Sequence, residues 1–539
     1  MLKQRNRFFI GLFLIGLCFS QPKAVFPAET VPVATPVAEA GEFRFRLTAD
    51  PGTLDWNLAH TSHETYILMN LMEGLVEEGP DMNPRPALAE KWEISPDGRT
   101  YTFHLRKGVV WSDGKPLVAQ QFVDSWIRLL QPRTHSPSGT FLYDLLHAQE
   151  FHEGKIKDAS SVGVRALDDE RLQVTLKRKV PYFLHLPTFW VTFPIRKELI
   201  AKHGAQWAKP GKLVTLGPYL LESWDAGKSI RLKRNPSYFD AGSVSPRAPV
   251  SILARIESDE QKAKEAFAKG ELDVMLDPRT TDLVQLSSQP GYRVERFPYL
   301  ATYYLGFDLS AAPTKDRNVR MALALAVDRA KLPGALQGGQ AAAKGWIPPG
   351  IAGSDSKVYL EGSLYEARGA LVKAGYREGV GFPVLQIWIE KFDGAQALGE
   401  FLVKNLRQNL GIESKFSVEA PSQFQEARVR NRLQAFVRHW GADFPDQENF
   451  MEVFYSKSGS NYVGWKSPEY DAVLEKARNA SDAAERDQDY KAAEKILLQD
   501  EIVVFPLFYR QNSAVVSQRL QSFRISPLNY LFFKNIELK

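Results

Sequence analysis

The chain has 539 residues, 44% hydrophobic, 24% charged and 12% aromatic, with 37 Gly and 33 Pro. That composition predicts a globular protein of two to four domains and excludes disordered, collagen-like and coiled-coil classes. The formal charge is +5, and setting aside Lys3, Arg5 and Arg7 at the N-terminus leaves +2, too small a balance to imply nucleic acid or an anionic membrane as partner.

Residues 1–7 are basic, and Phe8 to Phe19 form an apolar run too short to span a bilayer comfortably. With small residues before a cut after Ser20, residues 1–20 read as a secretory signal peptide. Cys18 is the only cysteine. It follows Leu17 rather than a small residue, so a lipid anchor is not expected and the exported protein is thiol-free and periplasmic. Residues 21–41, rich in Pro and Ala, read as an extended tether.

Along the chain, Arg44–Leu47 reads as a strand and Glu64–Leu75 as a helix. Arg99–Arg106 alternates with period two, a half-buried strand. Ser112–Pro116 is a turn before a helix presenting Phe122, Val123, Trp126, Ile127 and Leu130 on one face. Arg171–Leu176, Ser229–Leu232 and Arg293–Phe297 read as further strands. From Asn318 the pattern becomes richer in helix, with spans at 363–374, 396–410 and 468–498. Strands and helices alternate in both halves, which favours α/β lobes.

Motifs of enzymatic chemistry are missing: there is no His-Glu-x-x-His, no Gly-x-x-x-x-Gly-Lys-Ser/Thr phosphate loop, no Gly-x-Gly-x-x-Gly and no Gly-x-Ser-x-Gly. His60 and His63 lack a nominated third metal ligand, and His439 near Asp443 lacks an activated nucleophile. The acidic pairs Glu77-Glu78 and Asp168-Asp169 read as solvated charge in turns. No enzyme activity, metal or cofactor is expected. The segment 428–446 stands out: Leu433–Trp440 reads as a strand ending in a Gly-Ala-Asp-x-Pro turn. A Trp beside an Asp at a strand end suits clamping something flat or apolar that carries a cation, or else is a core Trp with a turn-forming Asp.

Ordered blocks then point to a family. They are Thr53-Leu-Asp55, Leu71-Met-Glu-Gly-Leu75, Ala87–Glu93, Ser95–Gly114, Gly217-Pro-Tyr219, Arg234-Asn-Pro-Ser-Tyr238, Asp316–Arg320 with Ala326-Val-Asp-Arg329, and Lys466–Asp471. Their order over almost the whole chain resembles the extracellular solute-binding proteins of family 5, which include periplasmic oligopeptide binders. The resemblance implies an α/β, two-lobed periplasmic-binding-protein clamp of the large peptide-binding type, with an extra inserted domain. Residues 42–74, 201–300 and 511–539 would form the core of the first lobe, 75–200 the insert and 301–510 the second lobe, with a hinge near Leu300 and Arg510.

It also implies a short peptide held extended between the lobes and passed to an inner-membrane ABC permease with its ATPase subunits by a monomeric binder. By position, His439 and Gly441 would offer main-chain groups from one lobe and Ser62 from the other. Asp443 would pair with the peptide α-ammonium, while Trp440 and Tyr299 would line the ligand. Ala301 and Gly441 stand where the oligopeptide binder has its disulfide. Of the family's cations for the peptide carboxylate, only Arg428 is kept. Gln337, Ala395 and Val437 occupy the other positions, and Arg438 is a candidate substitute. The bland reading makes Arg428 a solvated charge in an Arg-rich strand. A reduced set of carboxylate partners suggests a narrower ligand range. Alternatives are a sensor-docking binding protein, a binder of a murein fragment, nickel complex or haem, and an exported hydrolase on a similar scaffold.

Overall fold

The computed structural model describes residues 41–539 apart from 288–289, 355–358, 430–432 and 481. The expected signal peptide, Cys18 and nearly all of the tether lie outside these residues. Among the described residues no helix is long and apolar enough to cross a membrane.

Two strands organise the fold. Tyr292–Phe307 and Val504–Ser517, of 16 and 14 residues, pair antiparallel along their length. Their register breaks between Pro298 and Thr302, opposite Gln511 and Tyr509, and again between Tyr303 and Tyr304, so Leu300 and Arg510 fall inside the first irregularity. On one side of this pair the sheet continues through Ala435–Gly441, Leu385–Glu390 and Ser414–Glu419. On the other it continues through Val274–Leu276, Glu42–Leu47, Ser251–Ile256, Ser229–Arg234 and Tyr219–Asp225. One sheet thus serves both lobes of the two-lobed α/β molecule, and only the two long strands belong to both halves of it.

A separate four-stranded antiparallel sheet forms from Ala89–Ile94, Thr100–Leu105, Arg171–Thr175 and Val164–Ala166. Within it, the alternation read from the sequence holds: Tyr101, Phe103 and Leu105 are buried and Thr100, Thr102 and His104 are not. The Ser95–Thr100 turn works because the Asp97 carboxylate accepts from the Arg99 N–H at 3.1 Å and Gly98 takes φ +69°, a left-handed conformation costly for other residues.

The family blocks turn out to be scaffold. Gly217 lies against the C-terminal end of the helix Ser62–Leu71, its N–H donating to the Leu71 carbonyl at 2.8 Å. A Cβ there would sit 2.5 Å from the Leu71 carbonyl carbon. Asn235 Nδ2 donates to the Gly217 carbonyl at 2.9 Å. Tyr238 donates its hydroxyl to buried Glu73 at 2.6 Å, and Lys534 reaches Glu73 at 3.5 Å and Glu77 at 2.8 Å. Burial pushes the Glu73 carboxyl upward, with Lys534 opposing. Arg320 is buried and donates to the carbonyls of Ile502, Thr314, Lys315 and Glu501 at 2.6–3.0 Å. Ser467 caps a helix that Pro468 begins, as the sequence rule for first-turn proline predicts.

Three expectations need correction. The first helix stops at Leu71 rather than Leu75, because Met72 turns extended and Gly74 packs where a Cβ would meet the Pro187 carbonyl at 2.2 Å. The span 468–498 is two helices, Pro468–Arg478 and Ala483–Lys495, the second capped by Asp482. Glu77 and Glu78 end a strand, Val76–Glu78, and the Glu78 side chain is only 8% exposed. Asp168 and Asp169 are exposed. We predict that Gly217→Val destabilises the protein by about 1–3 kcal/mol, the usual cost of overpacking, measured as a lowered denaturant midpoint, whereas Gly108→Val, with open space around it, loses only the strain of its positive φ.

Candidate functional site

The strand Ala435–Gly441 has two edges with different fates. Its even-numbered residues turn their main-chain groups toward Tyr292–Phe307. The Gln434 carbonyl accepts from the Asp308 N–H at 3.0 Å, and beyond the strand the Ala442 N–H donates to the Leu300 carbonyl at 2.8 Å. By strand alternation the odd-numbered residues face the other edge. There the neighbour Leu385–Glu390 stays in register only as far as Ile389, opposite Val437. His439 and Gly441 therefore turn main-chain groups toward an edge with no strand in register among the described residues.

Asp443 follows that strand. Its N–H donates to Asn449 Oδ1 at 3.0 Å, and Asn449 Nδ2 lies 3.5 Å from Asp443 Oδ2. The same Asn449 Oδ1 accepts from Trp440 Nε1 at 3.2 Å. Asn449 thus fixes both Trp440 and Asp443, and its own helix, Gln447–Met451, is capped by Asp446, which Arg486 holds at 2.6 Å. Asp443 is exposed to solvent, with the surrounding protein withholding part of its carboxylate's hydration. Desolvation pushes its carboxyl up to about 6, with the Asn449 hydrogen bond opposing.

Tyr299 is half-buried, and a Cβ on Gly441 would lie 2.7 Å from its hydroxyl. Glycine at 441 is what lets that phenol approach the strand. The Arg510 guanidinium lies 5.8 Å from the Tyr299 ring centroid and is ion-paired to Asp277. Burial raises Tyr299 above the ordinary phenol value; the Arg510 charge opposes this, and Asp277 adds to it. Ser62 is exposed at the first turn of its helix, and Tyr66, one turn on, donates its hydroxyl to Asn529 Oδ1 at 3.2 Å. Asp277 and Arg510 also act on Tyr66, so this helix face looks onto the same junction.

Two further candidates are placed differently from expectation. Arg438 lies between the rings of Phe424 and Tyr462, at 4.5 and 4.4 Å, and its Nε is 3.3 Å from Glu390 Oε2. It is therefore already neutralised by a protein carboxylate, on the strand face opposite His439. The His439 ring stacks on Tyr303 at 5.0 Å, with Nδ1 3.5 Å from Glu390. Burial pushes Glu390 up, but His439 and Arg438 together bring it below the ordinary carboxylate range. Arg428 belongs by its backbone to the helix Pro421–Val429, not a strand, and its side chain lies outside the described residues. Val437 is buried in a hydrophobic core, Ala395 begins a helix and Gln337 ends one. Ala301 and Gly441 stand directly opposite in register.

Two contacts link parts of the chain that the sheet keeps apart. Phe444 stacks on Tyr182, ring centroids 4.6 Å apart and planes 14° apart. Asp393 Oδ2 accepts from the Thr280 N–H and hydroxyl at 2.8 and 2.9 Å, capping the helix Thr280–Ser287. A cavity of about 50 Å³ lies beside that second contact, bounded by Asp277, Tyr303, Phe392, Phe508 and Arg510. Larger cavities, of about 830 and 820 Å³, open elsewhere, beside Arg329 and Phe505 and beside Val123 and Ile127, and share no residue with the Asp443 site.

Residues 83–462 match the sequence profile of the bacterial extracellular solute-binding proteins, family 5. The chain belongs to that family. It is 30% identical to the probable deoxycholate-binding periplasmic protein YgiS of Escherichia coli over 98% of each chain. It is also 30% identical to the periplasmic oligopeptide-binding protein OppA of E. coli over 94% of each. Among solved structures it resembles Haemophilus influenzae OppA in complex with the peptide RPPGFSPFR, at TM-score 0.76 and 25% identity, covering 92% of this chain and 99% of that one. The family consists of solute-binding proteins rather than enzymes. Asn449, which sequence reasoning passed over, is the residue that assembles the site. Its only signal was the capping pattern of Asp446 ahead of it.

Because ionised Asp443 is disfavoured by the fold, its destabilising contribution grows as pH rises from the ordinary carboxylate value to about 6, is complete above that and vanishes below the ordinary value. Asp443→Asn is therefore expected to raise the melting temperature near pH 8, with the gain shrinking toward pH 4, as a pair of thermal scans would show.

Proposed function

We propose that this protein is a periplasmic binding protein that captures short peptides between its lobes and delivers them to an ABC-type permease with its ATPase subunits, acting as a monomer. The observation that carries the reading is the open edge at His439 and Gly441, ending at a carboxylate held by Asn449. Strand addition engages the main chain of any peptide, and Asp443 then receives the terminal ammonium. Names among the relatives support it, since oligopeptide and murein-peptide binders recur among them. The signal-peptide pattern of residues 1–20 supports export. We further propose that residues 42–74, 201–300 and 511–539 form the core of one lobe, 75–200 its insert and 301–510 the other lobe. The register break around Leu300 and Arg510 is then the hinge, and the Tyr182–Phe444 and Thr280–Asp393 contacts close the cleft.

The deoxycholate named for one relative makes a bile acid the second reading, favoured by the aromatic rings around the site. It has no use for Asp443, so the amine decides between them. Truncating one partner of a desolvated charge pair costs about 2–5 kcal/mol. Asp443→Ala is expected to weaken a free-amine tripeptide more than tenfold by calorimetry. N-acetylating the peptide should weaken the wild type equally, and the mutant little further. Additive losses, or tight deoxycholate binding without any peptide binding, would overturn the peptide reading. With the peptide, affinity should fall as pH drops below about 6, where Asp443 takes up its proton, and this acid limb should be absent in Asp443→Asn.

A further inference from the structure

Glu77 and Glu78 are neighbours in sequence with different surroundings. Glu77 is held by Lys534 at 2.8 Å. Glu78 turns inward: its Oε1 lies 2.7 Å from His185 Nδ1, its side chain is 8% exposed, and its buried Oε2 has no hydrogen-bond partner among the described residues. No Lys or Arg pairs with it among the described residues. A carboxylate oxygen sequestered this way costs free energy until a donor meets it.

Its position connects it to the site. His185 lies in the short 3₁₀ helix Phe183–Thr188, whose N-cap residue is Tyr182. In a 3₁₀ helix residues three apart eclipse, so Tyr182 and His185 share a face. Tyr182 stacks on Phe444, the residue after Asp443. Through His185 and Tyr182, Glu78 is thus linked to the aromatic contact made by the residue that follows Asp443. Tyr530, edge-on to Trp190 at 6.1 Å, stands between their influences. Burial does most to hold its phenol protonated, and the charges of Asp443 and Glu78 each add to that.

The local cations are already committed. Arg178 lies 3.3 Å from Asp144, which also accepts from the Tyr182 hydroxyl at 2.6 Å. Among the described residues, Asp443 is hydrogen-bonded by Asn449 and Glu78 by His185. One terminal ammonium answers Asp443 and leaves Glu78 as it was.

Resting on the peptide-binding reading above, we propose that the preferred ligands are peptides whose first residue carries a cationic side chain, the α-ammonium meeting Asp443 and the side-chain cation meeting the free oxygen of Glu78. An acidic first residue is disfavoured by the same two carboxylates, since like charges brought together reject the wrong partner.

The test is calorimetry on the purified full chain with four tripeptides that differ only at the first residue: Lys-Ala-Ala, Nε-acetyl-Lys-Ala-Ala, norleucine-Ala-Ala and Glu-Ala-Ala. The Lys peptide is expected to bind at least tenfold tighter than the norleucine and acetyl-lysine peptides, and the Glu peptide weakest. Glu78→Gln should bring the Lys peptide down to the level of the norleucine peptide on the wild type, and a thermal scan reports whether that variant is folded. The wild-type series needs no variant: equal affinity for the Lys, acetyl-lysine and norleucine peptides overturns the proposal. A Lys preference that survives in folded Glu78→Gln overturns the assignment to Glu78. If none of the four binds, the peptide reading itself fails, and this inference with it.

Discussion

Everything at this site depends on a strand that is longer than its neighbour. Ala435–Gly441 runs on after Leu385–Glu390 has left the register at Ile389. Had the neighbour continued, the edge at His439 and Gly441 would be closed by the protein's own ladder. Because it stops, an edge of main-chain donors and acceptors remains, and open edges invite another strand. The fold restricts that invitation to the residues beyond Val437, where the neighbouring strand has left the register. It also sets an aromatic, Tyr299, over the glycine and a carboxylate just beyond.

A second constraint is that, among the described residues, the two halves of the large sheet meet only through two strands. The sheet has partners in plenty on either side, yet its halves communicate through Tyr292–Phe307 and Val504–Ser517 alone. Their irregular register near Leu300 puts a weak point in an otherwise continuous ladder. Arg510, within that weak point, is tied to Asp277, so the junction is electrostatically pinned as well as covalently continuous.

The scaffold was legible in the sequence because it is built from local signals. Asp97 and Gly98 make a turn, Ser467 and Pro468 start a helix, and Tyr101, Phe103 and Leu105 alternate, each by rules that act over a few residues. The position of Asp443 at a strand end was legible too, from the Trp-Gly-Ala-Asp run. What the sequence withheld were long-range partners. Nothing in the run from Arg428 to Asp446 says that Glu390 takes the charge of Arg438, because Glu390 arrives from another strand. Glu78 read as a solvated turn residue because His185, more than a hundred positions away, supplies its environment. The first helix ended early for the same reason: Pro187 comes close to Gly74 from outside the local pattern. The blocks that identify the family are mostly clamps such as Arg320 and Tyr238, so they locate the fold rather than the ligand.

The cap that Asp393 places on Thr280 joins a carboxylate from one proposed lobe to the first amide of a helix in the other. A helix start without its cap has exposed amides, so lobe separation would be felt at the Thr280 N–H before any side chain of the ligand site moved. That amide is a built-in gauge of the cleft. Its exchange with solvent should be slow whenever the lobes are together and fast whenever they part, which lets the motion of the clamp be followed at a point that no ligand touches.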